Sequence, residues 1–232
     1  AVEAHLRLAA KAGAKICFGS RVARWDADDQ HFDLQLADGA QVSARALVLA
    51  MGPWSEQTLA SLGVRLRIQR NVQAWFTPAS DAYDGGRFPP FLLDREGLPA
   101  PLYGFPDFGD GVKAAFHAHG PCEEIDRLDR EVVRQKDIEP IVAAMENWMP
   151  GATQNFHGAK VCPYSLTPDS HFVVDRHPQH ARLVLCGGFS GHGFKFAPVI
   201  GEIAADLALD GSSRHAIDFL SLRRFASDRG TR

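Results

Sequence analysis

Three groups of residues in this sequence carry side chains of types that can do chemistry, and the first also has a telling spacing. The first is the run G-G-F-S-G-H-G-F-K at 187–195, between a short apolar run at 183–186 and an apolar helical pattern at 196–209. A strand that feeds a glycine turn and then a helix aims free backbone N–H groups and the positive end of the helix dipole at one point, which attracts an anion. His192 and Lys195 stand three apart at the helix start, so they can face one cavity as a polar ring and a fixed cation. The second group is Lys113 with His117, four residues on in a β-type run, and the third is Cys162, which opens C-P-Y-S at 162–165. Singly, each has a plainer reading. A glycine turn can join strand to helix with no ligand, a strand-edge lysine is normally solvated, and a lone cysteine usually behaves as a small buried hydrophobe. Gly188, Gly191 and Gly193 are not spaced as G-x-G-x-x-G, and no strand with an acidic end follows, which argues against a nicotinamide-type dinucleotide site.

The elements that must position these residues follow from the apolar pattern. Residues 1–12 place Val2, Leu6 and Ala9 on one helical face and stop at Gly13. Residues 15–26, 31–36 and 41–50 read as strands, and the apolar stretch 46–50 predicts a strand buried on both faces. It ends at M-G-P-W (51–54), where glycine and proline turn the chain at a strand's carboxyl end, the usual place for a ligand in an α/β sheet. Runs at 66–76, 91–94, 102–105 and 112–117, broken by proline and glycine, predict a mostly antiparallel sheet. A charged stretch at 123–136 leads to an amphipathic helix over 138–149, with Ile141, Met145 and Trp148 at helical spacing. The final helix presents Phe196, Val199, Ile200, Ile203 and Leu207 on one face. The fold class is α/β (α+β): part of a doubly wound domain over 1–64, an inserted antiparallel sheet over 65–155, and a return to the first domain over 156–232.

Bulk properties narrow the function. A chain of 232 residues with 45 % hydrophobic content buries roughly 70 % of its unfolded surface. A net charge of -3 and a pI of 6.4 provide no basic face for nucleic acid. Cys17, Cys122, Cys162 and Cys186 lack C-x-x-C spacing, which argues against a metal site and a disulfide framework and favours a reducing cytoplasm. No apolar run approaches the roughly 18 residues of a membrane span, so no membrane partner is expected.

The order and content of the motifs then carry a resemblance. C-P-Y-S at 162–165, T-P-D-S-H-F-V-V-D at 167–175 and G-F-S-G-H-G-F-K-F at 188–196 resemble the C-terminal signature of the monomeric sarcosine oxidase and N-methyl-L-tryptophan oxidase family, which is FAD-dependent and D-amino-acid-oxidase-like. Y-G-F-P-D-F-G at 103–109 and K-A-A-F-H at 113–117 are similar to that family's middle sheet, and M-G-P-W to its first flavin-contacting turn. The resemblance implies that the Cys162 sulfur is joined to the flavin 8α carbon. It implies that Lys113 stands beside flavin N5 and assists reduction of dioxygen, although the loop from Tyr103 to Lys113 is one residue shorter than the family pattern. Tyr103, His117, Tyr164 and His192 would line the substrate cavity, and Lys195 would hold the substrate carboxylate. Further flavin contacts would come from Val22, Met51, Gly52 and Trp54, and from Gly188, Phe189, Gly191, His192, Gly193 and Lys195.

The implied reaction is oxidation of a secondary amino acid, N-methylated or cyclic, to an imine, with dioxygen reduced to hydrogen peroxide. The family's opening strand, G-x-G-x-x-G turn and helix, which bind the ADP half of FAD, have no counterpart in this sequence. The resemblance therefore implies a C-terminal portion, with the N-terminal FAD-binding segment supplied by the same or another chain. Two other readings stand beside it: a non-catalytic binding module, and an amine dehydrogenase that uses another electron acceptor.

Overall fold

The computed structural model describes residues 1–28, 30–130 and 135–230. Helix α1 (Val2–Lys11) precedes a meander of β1 (Val22–Ala27), β2 (Phe32–Leu36) and β3 (Gln41–Ala44). Strand β4 (Leu47–Leu49) then runs into a 3-10 turn, Gly52–Ser55, and α2 (Glu56–Ser61). The middle of the chain forms β5 (Arg67–Thr77), β6 (Phe91–Leu93), β7 (Leu102–Phe105), β8 (Val112–Phe116) and β9 (Cys122–Glu123). After α3 (Gln135–Trp148) come β10 (Asn155–Leu166), β11 (Val173–Arg176), β12 (Leu183–Gly187) and α4 (Ala197–Leu209).

The large sheet has the order β10-β5-β8-β7-β6, antiparallel throughout, with β9 also on β5. A second sheet, β11-β12-β4, pairs β12 with β4 in parallel. The fold is mixed α/β with antiparallel sheets, as the sequence predicts. Residues 102–105 form a strand with the predicted bounds because Pro101 and Pro106 punctuate it on both sides.

Burial follows the alternation along each strand. Val112, Ala114 and Phe116 of β8, Leu102 of β7 and Ala74 and Phe76 of β5 pack against Ile141, Ala144 and Met145 of α3. Each large side chain buried in this cluster contributes about 1.5–3 kcal/mol. The Arg70–Asp137 ion pair, at 2.9 Å, joins β5 to the start of α3 on that face. Helix α4 buries Ile200, Ile203 and Leu207 against β11 and β12, while Phe196 lies outside the helix in a preceding 3-10 turn.

Four expectations need correction. The strand expected at 15–26 is confined to Val22–Ala27, because nothing among the described residues pairs with 15–18, and Phe18 is 80 % exposed. The run 41–50 breaks into β3 and β4, since β3 pairs with β2 and β4 crosses to β12. The stretch expected to be buried on both faces is half-buried on one: Leu47 and Leu49 pack partly buried against a core cluster, and Val48 is 42 % exposed. The helix expected over 138–149 runs instead over Gln135–Trp148, with Ile141 and Met145 buried and Trp148 46 % exposed at its end. Among the described residues no helix is long and apolar enough to cross a membrane, and no group of three or more His, Cys, Asp or Glu could hold a metal ion.

Candidate functional site

The alternation that sends Val112, Ala114 and Phe116 toward α3 sends Lys113 and His117 to the opposite face of the large sheet. Register places neighbours there. Lys113 lies opposite Trp75 of β5 and Phe105 of β7, Tyr103 opposite Ala115, Cys162 opposite Asn71, and Tyr164 opposite Gln69. Lys113 Nζ sits 5.2 Å from the Trp75 ring centroid and 5.6 Å from that of Phe105, a cation held between two aromatic faces. Gln73 Nε2 donates to Tyr103 Oη at 3.1 Å. The His117 ring is 6.3 Å from Tyr103 and 5.5 Å from Tyr164, and its Nδ1 lies 3.5 Å from Tyr164 Oη.

The loop after β12 is fastened to the end of β10. Ser190 holds a φ of +49° and its N–H donates to the Ser165 carbonyl at 3.0 Å. Its hydroxyl donates to the Gly188 carbonyl at 3.1 Å and accepts from the Thr167 N–H at 3.3 Å. Gly191, at φ +81°, passes so close to Tyr164 that no side chain would fit. Loop, β10, the Gly52–Ser55 turn and α4 together enclose a groove of about 520 Å³. Its walls are mostly apolar, from Val48, Ala50 and Pro53 on one side to Phe189, Phe194 and Ile200 on another, with Cys162 and Tyr164 in the wall as well.

Electrostatics sharpen the chemistry. Burial pushes the Cys162 thiol up, while Lys113 and then Arg130 pull it back toward the thiolate. Burial lowers Lys113, with Cys162 opposing that shift. Burial, followed by the charges of His192 and Lys195, holds His117 below the usual histidine value. Burial raises Tyr164 and Tyr103 above the ordinary phenol value, so both remain hydrogen-bonding phenols at neutral pH.

The predicted site residues separate into groups. Tyr103, Lys113, His117, Cys162 and Tyr164 share one sheet face, and Gly52, Phe189, Gly191 and Gly193 line the groove with Cys162. Trp54 follows Pro53 in the turn, is not among the groove-lining residues, and lies under the Arg130 guanidinium. Met51 lines a small crevice with Leu59 and Cys186, and Gly188 abuts Thr167. His192 stacks on Phe172 at 4.9 Å, Nε2 lies 3.3 Å from the Ser170 carbonyl oxygen, and Lys195 is exposed with Nζ 5.3 Å from the Phe196 ring. Val22 begins β1 opposite Leu36 and is not among the groove-lining residues. Sequence reasoning did not select Gln73, Trp75, Phe105, Arg130 or Ser190. The alternation of β5 and β7 could have indicated the first three, whereas nothing local marks Arg130.

A family model described as FAD dependent oxidoreductase matches residues 1–207. The chain belongs to that family. Among FAD dependent oxidoreductases it is similar to a monomeric sarcosine oxidase of Streptomyces avermitilis, 37 % identical, with 97 % of this chain and 60 % of the relative covered. An N-methyl-L-tryptophan oxidase of Salmonella dublin is 34 % identical over 97 % of this chain and 60 % of the relative. The chain thus spans about 60 % of the length of the curated relatives it matches. Its fold is that of NikD, an amino acid oxidase essential for nikkomycin biosynthesis, at a TM-score of 0.76 and 23 % identity, covering 93 % of this chain and 57 % of that one. A glycine oxidase from Geobacillus kaustophilus has the same fold at a TM-score of 0.74 and 19 % identity, covering 92 % and 54 %. The residues present fit the ring end of a flavin: the groove is apolar, a thiol stands in its wall, and α4 presents only Ala197, Gly201 and Ala204 beside Ile200.

Proposed function

We propose that this chain forms the flavin-ring and substrate side of an FAD-dependent oxidase of secondary amino acids, N-methylated or cyclic, which yields an imine and hydrogen peroxide. The observation that carries the reading is the convergence of Cys162, Lys113, His117 and the two tyrosines on one sheet face beside an apolar groove. Similarity to sarcosine and N-methyl-tryptophan oxidases supports the substrate class. Residues 1–64 and 156–232 serve the flavin and 65–155 the substrate, with the N-terminal FAD-binding segment on the same or another chain. The four free thiols suit a reducing cytoplasm.

The bound flavin would supply the redox chemistry, accepting a hydride equivalent from the substrate and passing electrons to dioxygen. Cys162 would hold it covalently through sulfur. Lys113, half-buried between two rings, would put a fixed positive charge where a dioxygen-derived anion develops. His117, whose charged form burial disfavours, would accept a hydrogen bond from the substrate nitrogen. Tyr103 and Tyr164 form an aromatic wall for the N-methyl or ring carbons. Lys195 and the backbone N–H groups ahead of α4 would attract the substrate carboxylate, and Met51, Gly52 and Trp54 would help to hold the flavin.

Acid precipitation tests the tether. Protein produced with FAD should keep its yellow colour in the precipitate, and it should release peroxide with N-methyl amino acids. Colourless precipitate would refute the covalent assignment, and flavin reduction without peroxide would make the protein a dehydrogenase.

A further inference from the structure

Arg70 on β5 is 1 % exposed, and its contacts reach beyond the core. Its Nη1 bonds Asp137 Oδ2 at 2.9 Å near the start of α3, and its Nε donates to the Asp129 carbonyl at 3.5 Å. One buried guanidinium thus ties the Asp129 carbonyl and the Asp137 carboxylate to β5. Arg130 follows the held Asp129 carbonyl, and its guanidinium carbon lies 5.3 Å from the centroid of the Trp54 ring. Trp54 belongs to the Gly52–Ser55 turn, whose Gly52 and Pro53 share the groove with Cys162. The stacking therefore parks a cation on the turn that contributes Gly52 and Pro53 to the groove containing the thiol, on a different element from Lys113.

We propose that Arg130, held over Trp54, is a positioning cation that favours the Cys162 thiolate for flavin attachment. This rests on the reading of Cys162 as the tether. Burial alone disfavours the thiolate, and Lys113 and Arg130 are the two charges that offset it. The step assisted is loss of the Sγ proton to water. The carbon–sulfur bond then replaces one hydrogen on the 8α carbon, so attachment is a two-electron oxidation with the flavin as acceptor and dioxygen as its final oxidant. A thiolate fraction raised at neutral pH speeds that bond formation in proportion. Arg130 need not touch the flavin; its effect is on the charge state of sulfur.

The test is the pH dependence of Cys162 alkylation by iodoacetamide in a Cys17→Ser, Cys122→Ser background. Cys17 and Cys122 are the exposed thiols, and Cys186 is buried with its thiol pushed up to about 11, so Cys162 dominates the signal. Arg130→Met should raise the alkylation midpoint by about half a pH unit, and Arg130→Lys by less. Trp54→Leu, which frees the guanidinium from its perch, should raise it too. In the full chain supplied with FAD, Arg130→Met should slow acid-stable flavin incorporation about threefold near neutrality, and the deficit should close at alkaline pH where the thiol ionises without help. An unchanged midpoint in Arg130→Met overturns the inference whether or not flavin attaches. A shifted midpoint with no acid-stable flavin in the parent protein instead overturns Cys162 as the tether.

Discussion

A Cβ placed on Gly191 would lie 2.2 Å from Cε2 of Tyr164. The loop before α4 and strand β10 are therefore in contact with no room for a side chain, and the backbone at 191 is left-handed besides, at φ +81°. Gly191→Ala should cost about 1–3 kcal/mol in urea unfolding and tilt the Tyr164 ring away from His117. Unchanged stability would mean that the loop and β10 are not locked together.

Cys162→Ser keeps the size and half-buried setting of the side chain, so the thermal midpoint should stay within about 2 °C while the acid-stable yellow colour disappears. Acid-stable flavin in the serine variant would place the bond elsewhere.

Lys113→Met preserves length and apolar contact with Trp75 and Phe105 but removes the charge. Reoxidation by dioxygen should fall about 10²–10³-fold while anaerobic flavin reduction changes little, as read by stopped-flow absorbance. Equal losses in both half-reactions would show that the lysine serves the site's structure.

Arg70→Met leaves the Asp137 carboxylate without its guanidinium and should destabilise the protein by about 3–5 kcal/mol. Arg70→Met with Asp137→Leu should recover part of that loss, because the carboxylate facing the guanidinium is removed with it. A double variant as unstable as the single one would contradict the ion-pair account.

His117 has a folded-state value below its unfolded one, so the unfolded chain takes the proton first on acidification. Its contribution to stability is complete above the unfolded value, near 6.5, and is lost as pH falls through the lower folded value. Thermal scans across that window should show a shallower decline for His117→Gln than for the parent. Parallel curves would indicate that the ring protonates without strain.

The fold was legible where punctuation is local. Prolines bracket β7, and a glycine turn separates the last strand from its helix, so their bounds follow from residue type. The division of 41–50 was not legible, because the change of sheet depends on β12, more than a hundred residues away. In the site, Cys162, Lys113 and the glycine loop stood out through motif order. Arg130 did not, since its importance depends on a ring 76 positions earlier and on a buried arginine that holds the preceding carbonyl. Val22, a flavin contact by resemblance only, begins β1 apart from the residues that line the groove.

Strand β4 has a parallel ladder with β12 on one side and, among the described residues, no strand on the other. Its open amides and carbonyls form a template for any extended segment of suitable register. An N-terminal FAD-binding segment, on the same or another chain, would have that edge to build on.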